Sequence, residues 1–488
     1  MVKAQAATKK SDYFPCRFFP PTVPARTAEN ELVAAWEHTL ARFGNRRAVL
    51  AASGVVLRTF SDIEAESRDQ ETLVEHLAPS SIVAIRLANH ACWPALLLAL
   101  FRRGHIPLPL GEHLGGGELS GTLETCRVNA LIQADGDALR VSRQSSTGTL
   151  QFPDADFLKL TSGTTSAPRA IRFRTAQLLA DCESICTTMG LTDDDLNFGA
   201  IPFSHSYGFS NLITPLLCLG VPLVATDERL PRAILDGLAA TGATVLPGIP
   251  VFFQNLAELG NARVLPRLRL CISAGAPLAP HVGVGFTARY GLKIHAFYGA
   301  SESGGIAYDS RPEPHYEGGF VGTAMSGVTI SPLDDGRISV HSAAVGDGYF
   351  PDNNEALRDG RFVPGDLVES TAHGLNIVGR TSDFINIAGR KLSPALVEQC
   401  LLKHPGVRQA VLFAVPSPLR GEEAVACVSG DSLDATSVLR FCQEHLTPWQ
   451  VPRDIWIVPE IATNDRGKVS RRQIAARYLE RRTKAERC

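Results

Sequence analysis

The sequence predicts an α/β protein. A large N-terminal domain carries parallel, helix-covered sheets and a small β subdomain, and a small α+β C-terminal domain follows. Three observations point there. The chain has 488 residues, too many for one ordinary hydrophobic core. Strand-like and helix-like segments alternate from residue 31 onward, the pattern of parallel sheets covered by helices. The pattern then changes near Gly379, after which a compact run of short strands and helices continues to the C-terminus.

Residues Met1–Arg26, rich in Pro, Lys and aromatics, read as an extended arm. Glu31–Phe43 has helical spacing, with Leu32, Trp36, Leu40 and Phe43 on one face. Ser81–Ala88 reads as a strand, Ala91–Arg103 as a buried helix and Ile106–Leu110 as a strand. Thr175–Met189 is a predicted helix, Asn197–Pro202 a strand and Pro231–Ala240 a helix. Thr244–Leu246 and Arg269–Ser273 are further strands. Gly336–Ser342 and Arg361–Gly374 are short β segments separated by Gly and Asp turns. Beyond them, Pro394–Lys403 and Ser437–His445 read as helices, and Gln409–Val415, Ala424–Val428 and Ile455–Val458 as strands, enough for a small α+β domain. The expected division is 1–379 and 380–488, with a hinge at Arg380–Asp383. There is no internal repeat of fixed period.

Composition narrows the function classes. Hydrophobic residues make up 44% and charged residues 20%, with a net charge of -2, the balance of a soluble globular protein and not of a nucleic-acid binder. The first ten residues hold three lysines without an apolar core behind them, so no secretory signal is expected. The apolar stretch Ala91–Phe101 ends at Arg102 and Arg103, short of the roughly 20 residues a membrane helix needs. Eleven cysteines without a CxxC pair give little support to a metal site or a disulfide framework, so a reducing cytoplasm is the expected setting. The terminal Ala-Glu-Arg-Cys is neither a peroxisomal nor a prenylation signal.

Five segments carry candidate chemistry. In Leu160–Arg169, the residues Thr161, Ser162, Gly163, Thr164, Thr165 and Ser166 follow an apolar strand, and Arg169 closes the loop. Hydroxyls and free backbone N–H groups in a tight loop suit phosphate oxygens, and an arginine adds charge-assisted hydrogen bonds. The spacing is not that of a Walker loop, and a polar surface turn is the competing reading. In Ala296–Glu302, Tyr298 offers a flat face to a base. Gly299 follows it, then Ser301 with a hydroxyl and Glu302 with a carboxylate able to hold Mg²⁺ beside a triphosphate. An aromatic strand end with a solvated glutamate is the alternative. Gly360–Asp366 ends in a carboxylate of the kind that accepts ribose hydroxyls, and Gly379-Arg380 supplies an arginine. Each is more often a turn when met alone. Asp465–Lys468 is a glycine-bearing loop whose lysine is ordinarily only solvated.

Taken together, the order and spacing of these segments resemble the adenylate-forming superfamily of acyl-CoA synthetases, nonribosomal adenylation domains and luciferases. In character the chain is nearest to acyl- or aryl-CoA synthetases. Residues 161–169 resemble the family's phosphate loop, Tyr298–Glu302 its Y-G-x-[ST]-E segment and Pro364–Asp366 its T-G-D segment. Gly379–Lys391 resembles its hinge segment, with the last position one residue late. Gly467–Arg471 resembles its terminal G-K-[IV]-x-R. Ser273–Pro277 is similar to the adenine-side loop, and Pro202–Gly208 to a P-x-x-H-x-x-G segment. The likeness spans roughly Ser81 to Arg472.

The resemblance implies a mobile C-terminal domain and a two-step reaction. A carboxylate attacks the α-phosphate of ATP and pyrophosphate leaves. The acyl group then passes to a thiol, that of coenzyme A or of phosphopantetheine on a carrier protein. Lys468, Mg²⁺ on Glu302 and the loop containing Thr164 would neutralise the developing charge. Asp366 would take the ribose hydroxyls with Arg380 close by, Tyr298 would stack on adenine, and Gly275 and Ala276 would line its edge. In the second step the small domain would rotate, removing Lys468 and presenting Gly389 beside the pantetheine tunnel. His205 resembles a gate near the acyl carboxylate; a satisfied core histidine is the other reading.

The chain departs from the family pattern at Ser166 (usually Gly), Arg169 (usually Lys), Pro364 (usually Thr), Ser382 and Asn464. Glu302, Asp366, Arg380 and Lys468 persist, which favours an active enzyme over a nucleotide-binding pseudoenzyme that scaffolds a partner. Phe203–Phe209 has no carboxylate to pair an α-ammonium, so the expected substrate is an aryl or fatty acid without an α-amine. Phe209, Val251, Phe252 and Ala274–Pro277 are its expected walls. Coenzyme A is the expected acceptor. The alternative is a stand-alone ligase loading a separate acyl carrier protein, since no carrier motif follows Lys468.

Overall fold

The computed structural model describes residues 30–485 apart from 113, 137, 145–154, 162–168, 261–263, 352–356, 388–389, 418–420 and 463–468. An eleven-stranded sheet forms its frame. From edge to edge it runs through the strands that start at Val56, Arg47, Leu223, Asn197, Val245, Leu270, Ile294, Gly304, Phe320, Gly374 and Asp366. The strands from Arg47 to Ile294 in that order are parallel. Their sequences are short apolar runs such as Leu270-Cys-Ile-Ser273, buried at every position, as strands covered on both faces require. The strands beyond Ile294–Ala300 are antiparallel and carry the sheet toward the C-terminal residues.

Strand order reverses at Asn197–Gly199. The chain leaves it for Leu223–Ala225 on one side and returns to Val245–Gly248 on the other. In open α/β sheets such a switch point opens a crevice at the carboxyl ends of the strands, where ligands bind. The loops leaving Asn197–Gly199, Leu270–Ser273 and Ile294–Ala300 carry His205, Gly275 and Glu302 respectively.

A second sheet contains Ile82–Arg86, Ile106–Pro109, Ala130–Asp135 and Ala138–Arg143. Phe157–Leu160 and Ala170–Phe173 form an antiparallel hairpin, to which Gly348–Phe350 adds a third strand. A four-stranded sheet built on Val328–Pro332 and Ile338–Ser342 is the small β subdomain.

Local chemistry sets the helix boundaries. The Asn30 side chain accepts hydrogen bonds from the backbone N–H groups of Leu32 and Val33, starting helix Glu31–Phe43 where the periodicity predicts it. Trp36, Phe43 and Phe60 cluster beneath that helix, with ring centroids 6.0 Å apart for Trp36–Phe60 and 5.6 Å for Phe43–Phe60. Helix Thr175–Met189 also has its predicted ends and stops at Gly190 in the left-handed conformation.

Sheet membership changes after Arg380. Strand Gly374–Arg380 closes against Asp366–Thr371 in the large sheet, a 3₁₀ turn Thr381–Asp383 follows, and Ile385–Ile387 belongs to a separate five-stranded sheet. That sheet packs against helices Pro394–Leu401 and Ala435–His445 around its own core of Ile385, Val397, Leu412, Val428 and Val438. No helix among the described residues is long and apolar enough to cross a membrane.

Candidate active site

Asp366 is the best-defined element of the site. It starts strand Asp366–Thr371, opposite Arg380 on the neighbouring strand, and its side chain is 8% exposed. One oxygen accepts the Arg380 Nε–H at 2.6 Å, and the other accepts the Tyr298 hydroxyl at 2.7 Å. A buried carboxylate held this way is paired and hydrogen-bonded, as burial of a charge demands. Burial, then the Asp366 charge, raises the Tyr298 phenol well above its usual range, so Tyr298 serves as a donor to Asp366. Three residues nominated from separate stretches of sequence therefore meet in one cluster.

Glu302 lies four residues past Tyr298, in the turn between Ile294–Ala300 and Gly304–Tyr308. Its side chain accepts a hydrogen bond from the Tyr349 hydroxyl at 3.1 Å, and its backbone carbonyl accepts one from the Gly346 N–H at 2.9 Å. Tyr349 sits on the strand paired with Ala170–Phe173, the strand that Arg169 precedes. The Asp347 side chain accepts from Arg174 Nε at 2.9 Å and from Gln177 Nε2 at 2.7 Å. Segment 346–350 thus straps the Glu302 turn to the hairpin of Phe157–Leu160 and Ala170–Phe173. Neither Tyr349 nor this strap follows from the sequence motifs.

Thr161 and Arg169 face each other across the mouth of that hairpin, where the Thr161 N–H donates to the Arg169 carbonyl at 2.7 Å. Ser162, Gly163, Thr164, Thr165 and Ser166 lie outside the described residues, as do Gly389, Asn464 and Lys468. The strands Ile385–Ile387 and Arg390–Leu392 flank the position of Gly389. Helix Arg471–Ala485 follows Lys468, and Arg471 donates to Asp383 at 2.7 Å and to Glu398 at 2.8 Å.

On the acid side, His205 precedes a short helical run and is half-buried. It lines a cavity of about 300 Å³ with Asn89, Glu112, Pro202 and Arg229. Gly208 lets the chain turn tightly there, because a Cβ would overlap the Pro202 carbonyl. The Ser206 hydroxyl donates to Ser301 Oγ at 3.1 Å, joining this loop to the Glu302 turn. Gly275, at φ +85°, is exposed, and Ala276 is half-buried. Gly299 is exposed at the strand end, and a side chain there would press on the Gly304 carbonyl.

Among the expected acid walls, Val251 is half-buried and Phe252 and Ala274 are buried. Phe209 instead belongs to the core, packed on Phe157 with ring centroids 4.5 Å apart. Tyr207 is half-buried, its hydroxyl donating to the Ile272 carbonyl at 3.1 Å.

The donor set fits one kind of metal. Among the described residues, no group of three or more His, Cys, Asp or Glu side chains is arranged to hold an ion by itself. A single half-buried carboxylate at Glu302, hydrogen-bonded to Tyr349 on the strand that pairs with Ala170–Phe173, suits Mg²⁺. That ion is commonly held by one or two carboxylates together with substrate phosphates.

Residues 36–350 match the family profile described as AMP-binding enzyme, and residues 396–468 match that of the AMP-binding enzyme C-terminal domain. The chain is 25% identical over 493 residues to the feruloyl-CoA synthase of Amycolatopsis sp, covering 92% of this chain and 99% of that protein. It is 28% identical over 349 residues to the probable CoA ligase CCL9 of Humulus lupulus, covering 67% of this chain and 66% of that protein. The fold is that of ATP-bound MatB from Rhodopseudomonas palustris, with a TM-score of 0.79 at 22% identity over 91% of this chain and 99% of that one. With well over half its length inside the first profile, the chain belongs to the AMP-binding enzyme family.

Proposed function

We propose that the chain is an AMP-forming acid–thiol ligase. It activates an aryl or fatty acid without an α-amine as the acyl-adenylate and passes the acyl group to coenzyme A. The observation that carries this reading is the convergence of Tyr298, Asp366 and Arg380 into one hydrogen-bonded cluster around the buried Asp366 carboxylate, with Tyr298 four residues from Glu302.

Asp366 takes the ribose hydroxyls. A carboxylate has about four acceptor sites, and Tyr298 and Arg380 occupy two while fixing its orientation. Arg169 and the hydroxyl loop at 161–165 take the β- and γ-phosphates, and Gly275 and Ala276 flank the base. Glu302 would hold Mg²⁺ together with substrate phosphates, and the bound ion would supply charge neutralisation for the pyrophosphate leaving group. Lys468 supplies the ammonium between the carboxylate and the α-phosphate, where both reactants are anionic. The boundary at 379/380 and rotation about Arg380–Asp383 are part of this reading: the turn there is a short 3₁₀ segment between two separate sheets. Rotation brings Gly389 to the thiol.

Two observations support the acid and acceptor classes. The stretch Phe203–Phe209 has no carboxylate to pair an ammonium. The relatives of similar length include a feruloyl-CoA synthase and an oxalate–CoA ligase.

The test is acid-dependent pyrophosphate exchange over a panel of aryl, fatty and amino acids, followed by acceptor-dependent AMP release with coenzyme A and with a phosphopantetheinyl carrier protein. Exchange with aryl or fatty acids and release with coenzyme A are expected. Measurable ATP binding without exchange on any acid would overturn the ligase reading. Release only with the carrier would overturn the acceptor.

A further inference from the structure

On the strand that leads to Thr161 the core holds one half of an ion pair. Lys159, two residues before Thr161, is on strand Phe157–Leu160 with its side chain 4% exposed. Its ammonium is 3.9 Å from Asp181 Oδ2 on helix Thr175–Met189, whose side chain is 3% exposed. The ammonium also donates to Ser210 Oγ at 3.4 Å and lies 4.7 Å from the Phe173 ring centroid and 5.7 Å from that of Phe209. Asp181 accepts the Ser210 hydroxyl at 2.6 Å on one oxygen and the Gly305 N–H at 2.9 Å on the other. Gly304, at φ +67°, keeps that approach open, because a Cβ would overlap the Asp181 carboxylate.

Stability alone is a poor reason for this arrangement. A buried ion pair is commonly no better than apolar side chains of the same volume. What it does supply is position, since a carboxylate with a hydrogen bond on each oxygen and an ammonium 3.9 Å away has one place to sit. Each partner leads to the site. Lys159 leads to Thr161, Gly305 leads back to Glu302, and Ser210 lies on the helical run that begins beside His205.

We infer that Lys159 and Asp181 are positioning residues for adenylation, holding the phosphate-loop strand in register with the Glu302 turn. The inference rests on the proposed roles of residues 161–169 and Glu302. Neither Lys159 nor Asp181 touches substrate. A shift of about 1 Å between groups that share one triphosphate can cost on the order of a hundredfold in rate.

The test compares the wild-type chain with Lys159→Gln/Asp181→Asn, which removes both charges; Asn keeps the shape of Asp, and Gln is slightly shorter than Lys. Three quantities are read: the Kd for ATP by calorimetry, kcat and KM for ATP in pyrophosphate exchange, and thiol transfer from a preformed acyl-adenylate. The double variant is expected to melt within a few degrees of wild type and to lose about ten- to a hundredfold in kcat/KM for ATP. Thiol transfer should stay within about twofold, because it does not use the triphosphate. Wild-type exchange kinetics in the folded double variant would overturn the inference, as would equal loss in both half-reactions. Ser210→Ala keeps both charges in place and serves if the double variant does not fold; it should show the same selective loss at smaller size, and an unchanged exchange rate would overturn the inference. Failure of the ligase reading is separable: the wild type would then show no exchange, while a weaker ATP Kd in the double variant would still report the positioning role.

Discussion

The Tyr298 hydroxyl donates to Asp366 at 2.7 Å, across 68 residues of sequence. The tyrosine is on the last parallel strand of the sheet, and the aspartate is on the antiparallel strand at its far edge. Their contact joins the parallel part of the sheet to the antiparallel part that leads into the C-terminal residues. Tyr298→Phe removes one charge-assisted hydrogen bond, worth about 1.5–3 kcal/mol. The KM for ATP is expected to rise about tenfold or more, with the acid KM unchanged. Unchanged ATP kinetics would remove Asp366 orientation from the roles of Tyr298.

Tyr349→Phe tests the strap. Without its hydroxyl, Glu302 loses the 3.1 Å hydrogen bond that orients one oxygen. The Mg²⁺ concentration for half-maximal exchange should rise severalfold, and Mn²⁺ binding to the ATP complex, followed by electron paramagnetic resonance, should weaken in parallel. Glu302→Gln should give the larger shift in both. Metal dependence identical to wild type in Glu302→Gln would eliminate it as a ligand.

The contrast between these two tyrosines shows what the sequence can convey. Tyr298 stands inside a motif whose residue types match a chemical task, and the ends of helices Glu31–Phe43 and Thr175–Met189 follow from capping and periodicity. Tyr349 reaches Glu302 across 47 residues, and Lys159 meets Ser210 across 51, through sheet pairings that no local pattern encodes. Phe209 was expected to wall the acid pocket because aromatic residues suit pockets and cores alike; only the packing against Phe157 decides. Ser162–Thr165, Gly389 and Lys468 lie outside the described residues, and their roles rest on sequence order.

Lys468→Ala should abolish pyrophosphate exchange while sparing thiol transfer from a preformed acyl-adenylate. In the proposed mechanism the ammonium is needed only where two anions are brought together, and the proposed rotation removes it before the second half-reaction. Equal loss of both half-reactions would count against rotation about Arg380–Asp383.

Arg471 anchors the helix after Lys468 to Asp383 in the turn and to Glu398, and its Nε–H also donates to the Leu412 carbonyl at 3.0 Å. Burial pushes the Glu398 carboxyl up, and the Arg471 charge only partly offsets this, so its folded pKa stays above the unfolded value. Arg471→Ala removes the offset and raises it further. A carboxyl whose folded pKa is raised binds more protons folded than unfolded, so stability falls as pH rises from the unfolded pKa through the folded one. The loss in Tm on Arg471→Ala should therefore be larger at pH 8 than at pH 5, and Glu398→Gln in the same chain should remove that difference. If the loss were equal at both pH values and Glu398→Gln changed nothing, Arg471 would act through Asp383 and the Leu412 carbonyl, and the uncompensated charge on Glu398 would not be what destabilises the variant.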